Sequence, residues 1–459
     1  MKRLVFSATV GLASFWAWQS QAIPQNTRLF CELYQESPLC VRQLTTCITC
    51  HTEAPNLNSY GRGLQAGLNQ FPDYDRKPEA FQKYLGTVAG SIESMDSDGD
   101  GSSNGMEIDA GTLPGDSNQK PGTDVTLVFD PELALKRISL LFCGISPSAE
   151  DLQKQRELID PILKKQHRHD YMNRCLRSDY WKKEALLRLA DDKIRPNAAL
   201  GREGDPFIIG DYDYDYRLFA YALSDGRDAR DLMQAQYHIN DQWQKVEGPI
   251  PSTLVPGKSV IGNGQPLQMD RRYGMLTTQW FIALNTMFAD IPRNTAAQSY
   301  RSYLGLDIAK SEGLFPVGNE PADYDRKGVG QAACAFCHST LDPLAYAFTP
   351  YAGLSSRGYQ VGTYMPDNTK YESLGSLFGE PVANLGDWVR VATESEAFKQ
   401  NLAMMFFRMA VGRAPATSQQ RADFAMLWQR LEGDGYSADQ LLHRLVETLS
   451  FAGRVIDAE

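Results

Sequence analysis

The chain has 459 residues, 42% of them hydrophobic and 22% charged, with a formal net charge of −10. That length suggests about three domains rather than one, and the composition is that of globular chains with a sizeable core. The acidic balance excludes a general nucleic-acid binder, while it would steer in a basic partner.

At the N-terminus Lys2 and Arg3 precede an apolar run from Leu4 to Trp18, and Ser20-Gln21-Ala22 supplies small residues around a cleavage point. The run falls short of the ~20 residues a spanning helix needs. Residues 1–22 are therefore expected to be a secretory signal, with the mature chain beginning near Ile23. No cysteine sits directly after the cleavage point and no later segment is long and apolar enough to span a bilayer. A soluble periplasmic or extracellular protein is expected, its formal charge brought to −12 by the loss of Lys2 and Arg3.

Residues 23–124 carry the first chemical signal, Cys47-x-x-Cys50-His51. Two thiols one turn apart can both add to the vinyl groups of a haem, and the adjacent imidazole can bind its iron. From Leu44 to Arg62 the chain should begin as a helical turn and pass into an Asn-rich loop that wraps the haem edge. Phe81, Tyr84, Leu85, Val88 and Ile92 then recur at helical spacing and predict a helix over 78–95. Asp96, Asp98 and Asp100 follow at positions 1, 3 and 5 of a calcium loop, with Gly101 at the sharp turn, Ser102 at 7, Asn104 at 9 and Glu107 at 12. The loop resembles the isolated calcium loops of extracellular proteins such as the thrombospondin type 3 repeat. The competing reading is a solvated Asp/Gly turn.

Residues 111–124, rich in Gly, Pro, Ser and Asn, form an expected linker and boundary. The middle region, about 125–327, holds no haem motif. Helices are expected over 130–145, where Asp130 precedes Pro131, and from Ser148 onward, with others over 180–191, 217–237 and 276–289. The alternating Asp211–Tyr216 run allows a short strand with its tyrosines on one side, and these fit an aromatic edge packed on a helix better than a redox relay beside a haem. Residues 245–274 have no clear period and read as a long loop, either a lid or a cover.

Residues 328–459 open with a second pentapeptide, Cys334-x-x-Cys337-His338. Thr393 with Glu396 and Ser437 with Gln440 have capping-box spacing ahead of helices over 394–411 and 438–452, with another over 418–432 and a stop at Gly412. A zinc site would need further Cys or His near either pentapeptide, and the sequence has none. With four of eight cysteines assigned to haem, Cys31, Cys40, Cys143 and Cys175 allow three disulfide pairings, of which 31–40 with 143–175 is the simplest.

The string CAFCHSTLDPLAYAFTPYAGLSSRGY resembles the haem segment of planctomycete-type cytochromes c and their associated domains of unknown function. Cys334, Cys337, His338, Asp342, Pro343, Phe348, Tyr351, Gly353 and Arg357 carry the likeness, and Phe398, Ala410, Gly412 and Arg413 extend it. The N-terminal part is similar to small c-type cytochromes that join a haem site to a DSDGDG loop. The resemblance implies an exported, mainly helical haem protein and no particular substrate.

The expected fold is mainly α, with two c-type cytochrome-like haem domains, 23–124 and 328–459, flanking a helical middle domain. The expected cofactors are two covalently attached haem c groups, with His51 and His338 on iron, and one calcium ion. The sixth ligand separates carriers from enzymes, because a Met sulfur closes the iron and an open position permits peroxide or oxygen chemistry. Met95 is preferred over Met106 for the first haem. For the second, Met365 competes with Met404, Met405 and Met409, while His167, His169, His238 and His443 stay open as distal or acid/base groups. The function expected is electron transfer with a basic redox partner. The alternatives are a di-haem peroxidase or oxygenase, or a structural or partner-binding haem protein.

Overall fold

The computed structural model describes residues 25–41, 47–53, 56–71, 74, 78–121, 127–197, 200, 209–251, 264–286, 289–354, 361–366, 374–415 and 417–455. The signal sequence and Arg357 lie outside them. Helix takes 56% and strand 9%, so the chain is mainly α. Its described strands form two-stranded antiparallel pairs.

Helix starts follow the local chemistry. Asp130 accepts the N–H groups of Glu132 and Leu133 ahead of Pro131–Ile138. Ser148 caps Ala149–Glu157 through Asp151, and Ser437 caps Ala438–Leu445 through Gln440. Each satisfies donors that a first turn leaves open. Gly412 ends Glu396–Val411 at φ 86°, a left-handed conformation that favours glycine.

Four stretches differ from the sequence expectation, each for a visible reason. Thr393 does not start the 396–411 helix. It belongs to Leu385–Glu394, where its hydroxyl bonds the Val389 carbonyl, and Ser395 is the cap. The helix expected over 217–237 is Asp213–Ala222, which ends before a left-handed turn at Asp225 and Gly226. The Asp211–Tyr216 run is the start of that helix rather than a strand. Asp213 and Asp215 occupy its first turn, where the helix dipole favours acids, and Asp211 accepts the Asp213 N–H. The helix expected over 276–289 begins later, as Gln279–Asn285, because Thr278 caps Phe281.

Packing ties the parts together. One hydrophobic cluster runs from Ala134 to Ala452 and includes Trp181, Trp280, Trp388 and Phe406, so it crosses the boundary expected near residue 328. The final strand Gly453–Val455 pairs with Leu127–Phe129, the first strand after the linker, and closes this unit on itself. A second cluster, with Phe30, Tyr60, Leu64, Leu85, Val88 and Ile108, makes the N-terminal core. The expected linker is docked onto the helix Ser418–Arg430, whose buried Arg421 donates to the Gly111 carbonyl at 2.8 Å and to Gln119 at 2.5 Å.

Cysteines pair as 31–40 and 143–175. The second crosslink joins a π-helical turn, Ser139–Cys143, to the helix Pro161–Leu176 across a separation of 32 residues. Replacing both Cys143 and Cys175 by Ser is expected to lower stability by about 2–4 kcal/mol, measured as a fall in the urea midpoint. An unchanged midpoint would contradict a stabilising role for the crosslink.

Candidate metal centres

Cys334 and Cys337 lie three residues apart on the helix Ala332–Tyr346, hence on one face. Cys334 is exposed, Cys337 half-buried, and neither joins a disulfide. Pro343 sits inside this helix, where it cannot donate to the Ser339 carbonyl; that oxygen accepts the Val317 N–H at 3.0 Å instead. Phe315 N–H bonds the Thr340 hydroxyl, also at 3.0 Å, so the 315–317 segment is laid along the helix.

His338 Nδ1 lies 2.8 Å from Oδ1 of Asp342, one turn further on, and Asp342 is fully buried. Arg293 grips the same carboxylate with Nε at 2.6 Å and Nη2 at 2.7 Å, and also pairs with Asp325 at 2.5 and 3.0 Å. Burial alone would lower the Arg293 pKa, but hydrogen bonds and charge from Asp342 and Asp325 hold it above the usual range. Asp342 therefore accepts the Nδ1–H of His338, which fixes the tautomer and leaves Nε2 for any metal. Met365 is half-buried just after the strand Val361–Tyr364, its N–H on the Pro350 carbonyl at 2.6 Å. Met405 and Met409 pack against the main core, as ordinary filling residues do, and Met404 is half-buried on the same helix.

The first pentapeptide begins in the 3₁₀ turn Cys47–Thr49, as a short helical turn was expected to do. His51 is buried and pairs with Leu57 across a two-stranded ribbon. Asn58 fastens the turn, with Nδ2 donating to the carbonyls of Ile48 at 3.0 Å and Thr49 at 3.1 Å and Oδ1 accepting the Gly61 N–H at 2.8 Å. A Cβ at residue 61 would lie 2.0 Å from the Cys50 oxygen, so only glycine fits against this turn. Cys50 packs on the N-terminal core, whereas the Cys47 side chain lies outside the described residues. Met95 and Met106 are 52% and 61% exposed, outside that core.

The acidic loop is held by its own backbone. Asp96 accepts Gly99 and Gly101 N–H groups at 2.7 and 2.8 Å, Asp100 accepts that of Ser102 at 2.7 Å, and Asn104 ties back to the Ile92 carbonyl at 2.7 Å. One carboxylate oxygen each from Asp96, Asp98 and Asp100 lies within 4.8 Å of the others. Glu107 is fully buried, and both its carboxylate oxygens, like Oδ2 of Asp98 and of Asp100, lack a hydrogen-bond partner among the described residues. Burial and the charges of Asp98, Asp100 and Asp96 push the Glu107 pKa up to about 8. Four orphaned acidic oxygens in one loop are the donor set a hard divalent cation takes.

Three other histidines have packing partners. His167 bonds Gln155 at 3.0 Å, and His443 bonds Asn173 at 2.9 Å. His169 meets Glu447, which also accepts Arg168, and so joins the 161–176 helix to residues just past the 438–445 helix. No family model, curated protein or solved structure matches the chain. Arg293 and Asp325 carry no sequence signal toward His338; the one available hint was Asp342 itself, four residues on and so a neighbour on a helix.

Asp342→Ala would leave the half-buried Arg293 guanidinium half-paired and His338 without its acceptor. The expected cost is about 3–5 kcal/mol, read by urea unfolding. A loss below about 1 kcal/mol, the scale of an exposed pair, would contradict the clamp.

Proposed function

We propose that this chain is an exported di-haem c-type cytochrome, related to the planctomycete-type cytochromes its second haem segment resembles, that transfers electrons to or from a partner protein. The observation that carries the reading is the Cys334, Cys337 and His338 turn, with His338 Nδ1 committed to buried Asp342. The bound haem iron would supply the one-electron change. Cys334 and Cys337, with Cys47 and Cys50 at the other site, would anchor the groups, and His338 and His51 would offer a ring nitrogen. Asp342 orients His338, and Arg293 orients Asp342. Ala332, Ala333 and Cys334 are exposed, and an apolar helix start of this kind suits a large apolar group laid on it. Met95 and Met365 are the proposed sulfur ligands.

Two disulfides suit an oxidising compartment. Among the described residues no helix is long and apolar enough to cross a membrane. A periplasmic or extracellular location and a basic redox partner complete the reading.

The carboxylate on His338 favours a second reading for the C-terminal haem, peroxidase or oxygenase chemistry. A carboxylate hydrogen bond on a ligand imidazole strengthens its donation to iron, which suits oxidant activation better than a high-potential carrier. Absorption spectra of the reduced protein with and without carbon monoxide divide the two. A carrier with both sixth positions filled gives haem bands that do not shift; a rapid shift at one haem moves the assignment to the enzyme, and absent haem bands overturn both.

Asp96, Asp98, Asp100, Ser102, Asn104 and Glu107 are proposed to hold one structural calcium ion. Calcium at about 100 times its Kd should raise stability by about 2.7 kcal/mol, reversibly with chelator, and Glu107→Gln should remove most of the gain. Because the folded Glu107 pKa lies above its unfolded value, Glu107 in the chelated protein contributes stability that is present below about pH 4.5 and lost as pH rises to about 8. The difference between the parent and Glu107→Gln should carry that slope; its absence, or no response to calcium, would contradict the assignment.

A further inference from the structure

The haem and calcium readings leave out the most exposed apolar side chains of the fold. Among the described residues these are Ile159, at 92%, and Ile162, at 76%, three positions apart in one turn of chain. Leu163 follows at 53%.

All three sit at the end of a helical hairpin. The helices Ala149–Glu157 and Pro161–Leu176 run antiparallel, since Asp151 meets Arg174 at 3.2 Å and Gln155 meets His167 at 3.0 Å. Residues 158–160 are therefore the tip. It is held in shape rather than loose: the Leu158 N–H bonds the Lys154 carbonyl at 3.2 Å, and Asp160 accepts the Ile162 N–H at 2.8 Å. Behind it, Arg168 is fixed on Glu447 at 3.0 and 2.5 Å. Side chains so displayed are ordered before anything binds them, which lowers the entropy that binding must spend.

The charge around the tip runs against that of the chain. Lys154, Lys164 and Lys165 surround it and make no ion pair among the described residues, and Lys165 lies one turn beyond Ile162 on the same face. Arg156 is engaged by Glu132 at 2.6 and 2.7 Å. Of the nearby acids, Asp160 caps the helix and Glu157 accepts Gln153 at 2.6 Å. The chain's net charge of −10 opposes an anionic surface, but exposed charges beyond a Debye length of ~10 Å are largely screened, so the local lysines decide. A convex aliphatic tip offers a protein partner no groove to fill, whereas a bilayer interface takes in such side chains and its anionic headgroups attract lysines beside them. We propose that this hairpin tip is a peripheral membrane anchor, with Ile159, Ile162 and Leu163 entering the interface of an anionic bilayer and Lys154, Lys164 and Lys165 meeting its phosphates. Neither signal suffices alone, so the attachment is reversible.

The test is co-sedimentation of the full-length mature protein with vesicles of phosphatidylglycerol and phosphatidylcholine in equal parts, compared with phosphatidylcholine alone. Binding to the anionic vesicles is expected, weakening as salt is raised and several-fold weaker on phosphatidylcholine. Ile159→Asp combined with Ile162→Asp should lower the bound-to-free ratio by roughly tenfold or more. Lys164→Gln with Lys165→Gln should lower it by roughly tenfold. These side chains face water, so circular dichroism and the urea midpoint should match the parent in both variants. No binding of the parent to anionic vesicles, parent-like binding by the folded Asp variant, or equal binding to both kinds of vesicle would each overturn the proposal. Self-association of the parent that the Asp variant loses, without vesicle binding, would also overturn it and give the tip to a second copy of the chain. Vesicle binding does not require the haem reading, so either can fail without the other.

Discussion

Asp342 is a carboxylate with no access to water, and such a group persists only where every lone pair that matters is answered. His338 answers one oxygen, and the two arms of Arg293 answer both. This constraint reaches far along the chain. It fixes the helix Arg293–Leu304 against the helix Ala332–Tyr346, draws in the 325 turn through Asp325, and orients the imidazole that the proposed chemistry uses. The same contact joins regions expected as separate domains, which also share one hydrophobic cluster, because the histidine's support comes from the middle region.

The N-terminal unit is built on a related imbalance. Glu107 is buried with both oxygens unanswered, and Asp98 and Asp100 each add another, so the loop carries more acid than its backbone donors can satisfy. Arg421 does not relieve it, being committed to the Gly111 carbonyl and Gln119. A cation would answer these oxygens together and would stiffen the segment between the 78–92 helix and the linker.

Much of this was legible in the sequence because it is local. Caps at Asp130, Ser148 and Ser437, the stop at Gly412 and the simplest disulfide pairing depend on residues within a turn or on cysteine count. The errors came where two local signals compete. Thr393 and Ser395 both precede Glu396, and only packing shows that Thr393 belongs to the previous helix. In Asp211–Tyr216 a period of two suggested a strand, while the acids served a helix start. Arg293 and Asp325 were invisible for a different reason. Their roles arise from contacts between distant segments, and an arginine's meaning lies in whether an acid stands opposite it, which no spacing records.

The account stands on covalent porphyrin at two places in one exported chain. Its most direct test is the intact mass, under denaturing conditions, of the mature protein made in a host that attaches haem. The account predicts a polypeptide starting near Ile23 that carries the added mass of two haems. A mass equal to that of the bare polypeptide would contradict it.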